Sequence, residues 1–147
     1  MIYIVDNIVP ILAATVAGFL FGGLYYRMLR GAWLRAAGPN AALAERRPGP
    51  LHYAGIFVAE FWMAAILAGA VILAPAGDAG PWTMALGSAF IIWIGFVLPT
   101  VYVSYRVLGQ TMRLVAFDAA HWLAVMLIMA ATVQAIGVTG PMTEGPG

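Results

Sequence analysis

Four long apolar runs constrain this chain more than any other feature of its sequence. They cover roughly residues 7 to 29, 52 to 74, 82 to 104 and 114 to 137. Each run reaches the ~20 residues that a helix needs to cross a hydrocarbon core of ~30 Å. Only 9% of the residues are charged, against about 25% in soluble domains. The sequence therefore predicts an all-α fold, an integral membrane four-helix bundle that forms a single domain over residues 1–147.

The positions of the charged residues predict how this bundle is oriented. All cationic side chains are arginines and lie between the first and second or the third and fourth helices: Arg27, Arg30, Arg35, Arg46, Arg47, Arg106 and Arg113. Asp6, Asp78 and Glu144 lie in the remaining extramembrane segments. The positive-inside rule then places the arginine loops in the cytoplasm and both termini on the non-cytoplasmic side. We expect a multi-pass protein of the bacterial inner (cytoplasmic) membrane, whose first helix is retained because no basic patch precedes it.

Several residue types and motifs are missing, and their absence excludes whole classes of chemistry. Without cysteine the chain has no thiolate metal site and no covalently attached haem. Without lysine it forms no Schiff base. A net charge of +1 gives no nucleic-acid-binding surface. Nucleophile elbow, phosphate-loop and zinc-protease motifs are also absent. We predict no enzymatic activity, no metal and no cofactor.

Three ionisable residues fall inside the predicted membrane helices: Glu60, Asp118 and His121. From the helical rise, Glu60 and His121 lie ~12 Å and ~11 Å from the cytoplasmic ends of their helices. We therefore expect these two side chains to meet, with Asp118 paired to Arg106 or Arg27. Such a polar cluster either conducts protons or ions or fixes the register of the bundle by hydrogen bonds. The register role is the commoner one.

Small residues recur every four positions on two of the helices. On the first helix they are Ala14, Gly18 and Gly22, and on the fourth they are Ala116, Ala120 and Ala124. Small residues at this spacing let helices approach closely inside a membrane. Both stripes are therefore predicted to be packing surfaces, within the chain or between copies. On the third helix, Pro99 predicts a kink, because it lacks an N–H and crowds the carbonyl group of Gly95.

Three segments of this sequence resemble a known family. They are LYYRMLRGAW at the end of the first helix, GFVLPT in the third and FDAAHWLAVMLIMAA in the fourth. They resemble the small four-helix bacterial membrane proteins of the domain of unknown function 1761 family, from about Asn7 to Gly137. The resemblance implies the four-helix fold and no established activity. Members often carry Gly-Tyr-Trp where this chain has Ala120-His121-Trp122, which implies that His121 is a local variation.

Two hypotheses about function follow from these residues. The first is a non-enzymatic accessory, structural or assembly role in the lipid bilayer, as a homo-oligomer or as a subunit of a larger membrane complex. The short loops and the small-residue stripes favour this hypothesis. The second is a small transporter or proton-conducting protein that uses Glu60, Asp118 and His121.

Overall fold

A computed structural model describes residues 2–38, 49–74 and 79–140 of the chain. Within these ranges every regular element is helical: α1 (Ile2–Asp6), α2 (Ile8–Met28), α3 (Arg30–Ala37), α4 (Pro50–Leu73), α5 (Pro81–Ile92), a π-helical segment (Trp93–Val97), α6 (Leu98–Val107) and α7 (Met112–Ile136). The predicted all-α membrane bundle is confirmed. Arg46, Arg47, Asp78 and Glu144 lie outside the described residues.

Four helices are long and apolar enough to cross a membrane: Ile8–Met28, Pro50–Leu73, Pro81–Val107 and Met112–Ile136. The third of these spans consists of α5, the π-helical segment and α6. The bounds fall within one helical turn of those predicted. Proline is the first residue of two spans, where its missing N–H would have no helical partner. The fourth span begins at a cap, because Thr111 Oγ1 accepts a hydrogen bond from the Leu114 amide at 3.1 Å.

The fourth span is the centre of the bundle. Ten of its 25 residues are buried, against two of the 27 residues of the third span, and α7 packs on α2, α4 and α5. Much of the core around it is alanine with no exposed surface: Ala14, Ala64, Ala65, Ala68, Ala85, Ala89 and Ala130. Small side chains allow close approach of the backbones where lipid provides no hydrophobic driving force. Polar side chains on α7 are consequently within reach of several spans.

The third span accommodates Pro99 by widening its helix. The amide of Leu98 donates to the carbonyl of Trp93, five residues earlier, which is the π-helical pattern. The Thr100 hydroxyl donates to the carbonyl of Phe96, four residues earlier, at 2.6 Å, a side-chain bond that often bends helices. The Trp93 indole donates to the carbonyl of Ala119 at 2.9 Å and so fixes this segment to α7. The structure shows a π-helical turn directly before Pro99, and the kink at Pro99 stays a prediction.

The two ends of the bundle have different chemistry. We call the end that contains the α3 helix and the turn between α6 and α7 the arginine end. Its arginines are exposed: Arg27, Arg30, Arg35, Arg106 and Arg113. At the opposite end, the buried Asn7 side chain pairs with the Thr139 backbone, donating to its carbonyl at 2.9 Å and accepting from its amide at 2.7 Å. The segment after α7 is thereby held against the start of α2.

Candidate functional site

The candidate site consists of the three ionisable side chains singled out from the sequence. Glu60 on α4 is 2% exposed, and Asp118 and His121 on α7 are each 3% exposed. All three point into the bundle, as expected of ionisable groups in membrane helices, because exposure to lipid would cost several kcal/mol. Their surroundings differ, however, and the differences separate them into two groups.

Asp118 is fully hydrogen-bonded by two tyrosines. The Tyr26 hydroxyl donates to Oδ1 at 2.8 Å and the Tyr105 hydroxyl donates to Oδ2 at 2.7 Å. These tyrosines lie on α2 and α6, so the carboxyl group connects three of the four spans. Trp33 of α3 lies beside the same carboxyl group. The buried Trp33 Nε1 forms no hydrogen bond with any of the described residues.

The prediction that Asp118 pairs with Arg106 or Arg27 was wrong. Arg106 Nη1 donates instead to the carbonyl of Gln110 at 2.8 Å, and Arg27 is exposed. Burying a guanidinium beside Asp118 would remove its water shell, at a cost that the ion pair need not recover. Tyrosine hydroxyls supply the same hydrogen bonds without that desolvation. The arginines therefore remain at the surface.

Glu60 and His121 face the same place on α2, at Gly22. A Cβ atom built on Gly22 would lie 3.1 Å from His121 Nε2 and 3.9 Å from Glu60 Oε1. The expectation that the two side chains converge agrees with this geometry, but no direct hydrogen bond joins them. Glu60 Oε2 and both ring nitrogens of His121 are buried without a partner among the described residues. Buried polar atoms normally have partners, so these three atoms are unusual.

Aromatic rings surround the His121 imidazole on several sides. Ring centroids lie at 4.7 Å for Tyr26, 5.1 Å for Tyr25, 5.1 Å for Trp122 and 6.3 Å for Phe21. The hydroxyl groups of both tyrosines are already donors elsewhere, Tyr25 to the carbonyl of Phe117 at 3.1 Å and Tyr26 to Asp118. Tyr26 therefore contacts both ionisable residues of α7 without satisfying the imidazole.

Tyr26 and Tyr105 are the site residues that the sequence-based prediction missed. A signal for Tyr26 was present, because Gly18, Gly22 and Tyr26 follow one another at four-residue spacing and so share a face of α2. The stripe of small residues leads directly to the tyrosine. No comparable spacing identifies Tyr105, which is brought to Asp118 by the turn between α6 and α7.

The two small-residue stripes behave differently. Ala14, Gly18 and Gly22 are buried, and a Cβ on Gly18 would meet Met129 at 2.5 Å and Val125 at 3.2 Å. On α7, by contrast, Ala116 and Ala120 are exposed and Ala124 is half-buried. The predicted packing face of α7 therefore points outward within this chain. The ionisable face is buried instead, because hiding Asp118 and His121 from lipid matters more than close packing of alanines.

The described residues contain no cluster of potential metal ligands at this site. No group of three or more His, Cys, Asp or Glu side chains is arranged for metal binding in the described part of the chain. An apolar groove of about 300 Å³ opens between α4, α7 and the third span, lined by Ala59, Trp62, Met63, Ile66, Leu67, Ile92, Val97 and Met126. None of its lining residues is ionisable.

Fold and site together define a small membrane bundle whose core contains a carboxyl oxygen and an imidazole that have no hydrogen-bond partner among the described residues. The chain matches the family model described as a protein of unknown function (DUF1761) over residues 9–134. It therefore belongs to this family, and the resemblance carried by its first, third and fourth helices is confirmed. No curated protein and no solved structure matches it.

Proposed function

We propose that the protein is a small, non-enzymatic transport protein that moves a proton or another small polar species through the bundle by way of Glu60 and His121. One observation carries this proposal: two buried ionisable side chains on different spans face Gly22, and atoms of both have no hydrogen-bond partner among the described residues. A group left in this condition costs about 1–3 kcal/mol or more. A residue that only fixed helix register would be satisfied, as Asp118 is. Ionisable residues inside membrane helices often mark proton and ion pathways.

The orientation of the protein forms part of the proposal. We propose that the arginine end faces the cytoplasm of a bacterial cell and that both termini lie outside, supported by the exposed arginines at that end. A reporter enzyme that is active only in the periplasm should work when it is fused after Gly147. Activity from a cytoplasmic reporter alone at that position would reverse the orientation.

Transport is tested with purified protein in sealed vesicles. Vesicles that contain the protein should dissipate an imposed proton gradient faster than empty vesicles, and Glu60→Gln or His121→Ala should return the rate to that of empty vesicles. His52→Ala is the matched control, because His52 is an exposed histidine in the first turn of α4. A rate that is unchanged in both Glu60 and His121 variants, or equal to that of empty vesicles, contradicts the proposal.

An accessory role is the second candidate, and the low burial of the third span favours it. That span has two buried residues, whereas the fourth has ten, and the exposed Ala116 and Ala120 provide a small-residue face on α7. Both features suit contact with a second copy or with another membrane protein. Purification in mild detergent followed by native mass spectrometry should then show an oligomer or a partner. A monomer without partners would exclude this role.

A further inference from the structure

The glycine at position 22 determines where Glu60 and His121 come together. Because it has no side chain, α2 approaches His121 so closely that a Cβ built there would lie 3.1 Å from Nε2, which is tighter than ordinary contact. At Gly18, one turn earlier, a built Cβ would lie 3.4 Å from Glu60 Oε2. The two glycines are thus the part of α2 that faces the carboxyl group and the imidazole.

The polar atoms that Glu60 and His121 present here suit a water molecule and do not suit a metal ion. Hard cations take six or more oxygen ligands, whereas one carboxyl group and one imidazole are the ionisable groups here. The backbone carbonyls of α2 and α4 take part in continuous helices and are not free to add ligands. A buried water needs two to four polar partners, and Glu60 and His121 provide atoms that lack partners.

We propose that Gly22, Glu60 and His121 hold one water molecule that passes a proton between the carboxyl group and the imidazole, so that the proton is the transported species. This inference rests on the transport function proposed above. In the transfer, the O–H bond of the protonated Glu60 breaks and the water accepts that proton. The water gives one of its own protons to the lone pair of His121 Nε2. The products are a carboxylate, an unchanged water molecule and an imidazolium ion.

The neighbours of His121 restrict this transfer to Glu60. The Tyr25 and Tyr26 rings lie 5.1 Å and 4.7 Å from the imidazole, but their hydroxyl protons are donated to the Phe117 carbonyl and to Asp118. Phe21 and Trp122 cover other sides of the ring with apolar surface. The aromatic rings exclude bulk water from the imidazole, so the bridging molecule is held at Gly22.

The water is tested directly by solid-state NMR of protein in lipid vesicles, with nitrogen-15 in the histidines. His52→Gln removes the other histidine, so the imidazole signals belong to His121. Magnetisation should pass from water to His121 Nε2, and it should be lost in Gly22→Ala. Gly23→Ala is the matched control, because a Cβ there has no neighbour within 4 Å, and it should keep the transfer. No transfer in the protein with Gly22 intact overturns the proposal.

A second variant is used if the first does not fold, and measurements of ion flux test the water site and the transport function separately. If Gly22→Ala does not fold, Glu60→Met is measured instead and should weaken the magnetisation transfer from water to His121 Nε2. An undiminished transfer in Glu60→Met would contradict a water molecule held between Glu60 and His121. Glu60-dependent flux of sodium or potassium without protons contradicts the proton assignment, while transport itself stands. Water transfer in a protein whose vesicles conduct no ion contradicts transport, while the water site stands.

Discussion

Asp118 and His121 lie one turn apart on α7, yet their surroundings are opposite in kind. Both oxygens of Asp118 accept hydrogen bonds from tyrosines of other spans, whereas both nitrogens of His121 have no partner among the described residues. The Glu60 carboxyl group resembles His121 in this respect. The bundle is therefore able to satisfy a buried acid when its packing provides donors. It does so at Asp118 and not at Glu60 Oε2.

Asp118 is fully hydrogen-bonded, whereas Glu60 Oε2 and both His121 nitrogens could still form hydrogen bonds. Asp118 joins α2, α6 and α7 near the arginine end, where a hydrogen-bonded carboxyl group fixes the positions of three helices. Glu60 and His121 lie farther along the same α2 face, against Gly18 and Gly22. Changes at Asp118 should therefore act on stability, and changes at Glu60 and His121 should act on transport.

The largest expected effect on stability comes from exchanging the two acids for apolar residues. Asp118→Leu leaves two tyrosine hydroxyls without their acceptor and should destabilise the bundle by about 3 kcal/mol. Glu60→Met removes an unpaired polar group and should change stability by less than about 1 kcal/mol in either direction. Unfolding by SDS in mixed micelles measures both values. Equal losses in the two variants would remove the distinction between the acids.

A smaller effect is expected from adding one methyl group on the packed face of α2. Gly18→Ala brings its Cβ within 2.5 Å of Met129 Cε and 3.2 Å of Val125 Cγ1. The methionine can move but the valine is stiff, so we expect a loss of about 1 kcal/mol. Gly23→Ala meets nothing within 4 Å and should not reduce stability. The same micelle titration compares the pair, and a loss in Gly23→Ala would show that the outer face is packed too.

Removing one tyrosine hydroxyl should have an effect similar in size. Tyr26→Phe and Tyr105→Phe each leave one Asp118 oxygen without a donor, and each should cost about 1 kcal/mol. Because both hydroxyls serve one carboxyl group, a double-mutant cycle should show that the two losses do not add. Additive losses would mean that the tyrosines act separately and not through Asp118.

The smallest effect is expected on the outer face of α7. Ala120 is exposed, so Ala120→Leu should alter the stability of the monomer by no more than about 0.5 kcal/mol. Native mass spectrometry of the same variant adds a second measurement. A change of oligomeric state would identify this face as the contact between copies, in agreement with the accessory role. A large loss of monomer stability would show that this face is packed within the chain.

Much of the fold was predictable from the sequence because membrane helices depend on local properties. A run of about 20 apolar residues specifies a span wherever it occurs, so the number and approximate bounds of the helices followed from composition alone. Burial of Glu60, Asp118 and His121 followed from the cost of exposing them to lipid. Burial of Gly18 and Gly22 followed from their spacing.

The partners of the buried groups were less predictable, because they depend on the rotation of each helix about its axis. The matching depths of Glu60 and His121 predicted that these side chains lie near each other, but did not predict that both face Gly22 without a direct hydrogen bond. Charge alone predicted an arginine as the partner of Asp118, whereas its hydrogen-bond donors in the structure are two tyrosine hydroxyls. The alanine stripe on α7 suggested a packed face, but the same helix had to turn its ionisable face inward.

The sequence by itself determined four membrane spans, their short connections, the clustering of arginines and the small set of ionisable residues. Hydrophobicity and charge are properties of each segment, and they act before the helices meet. Only the tertiary structure decided that Asp118 is satisfied while Glu60 and His121 converge on Gly22 unpaired. Hydrogen bonds are short and directional, so their formation depends on rotations and separations that no single helix specifies.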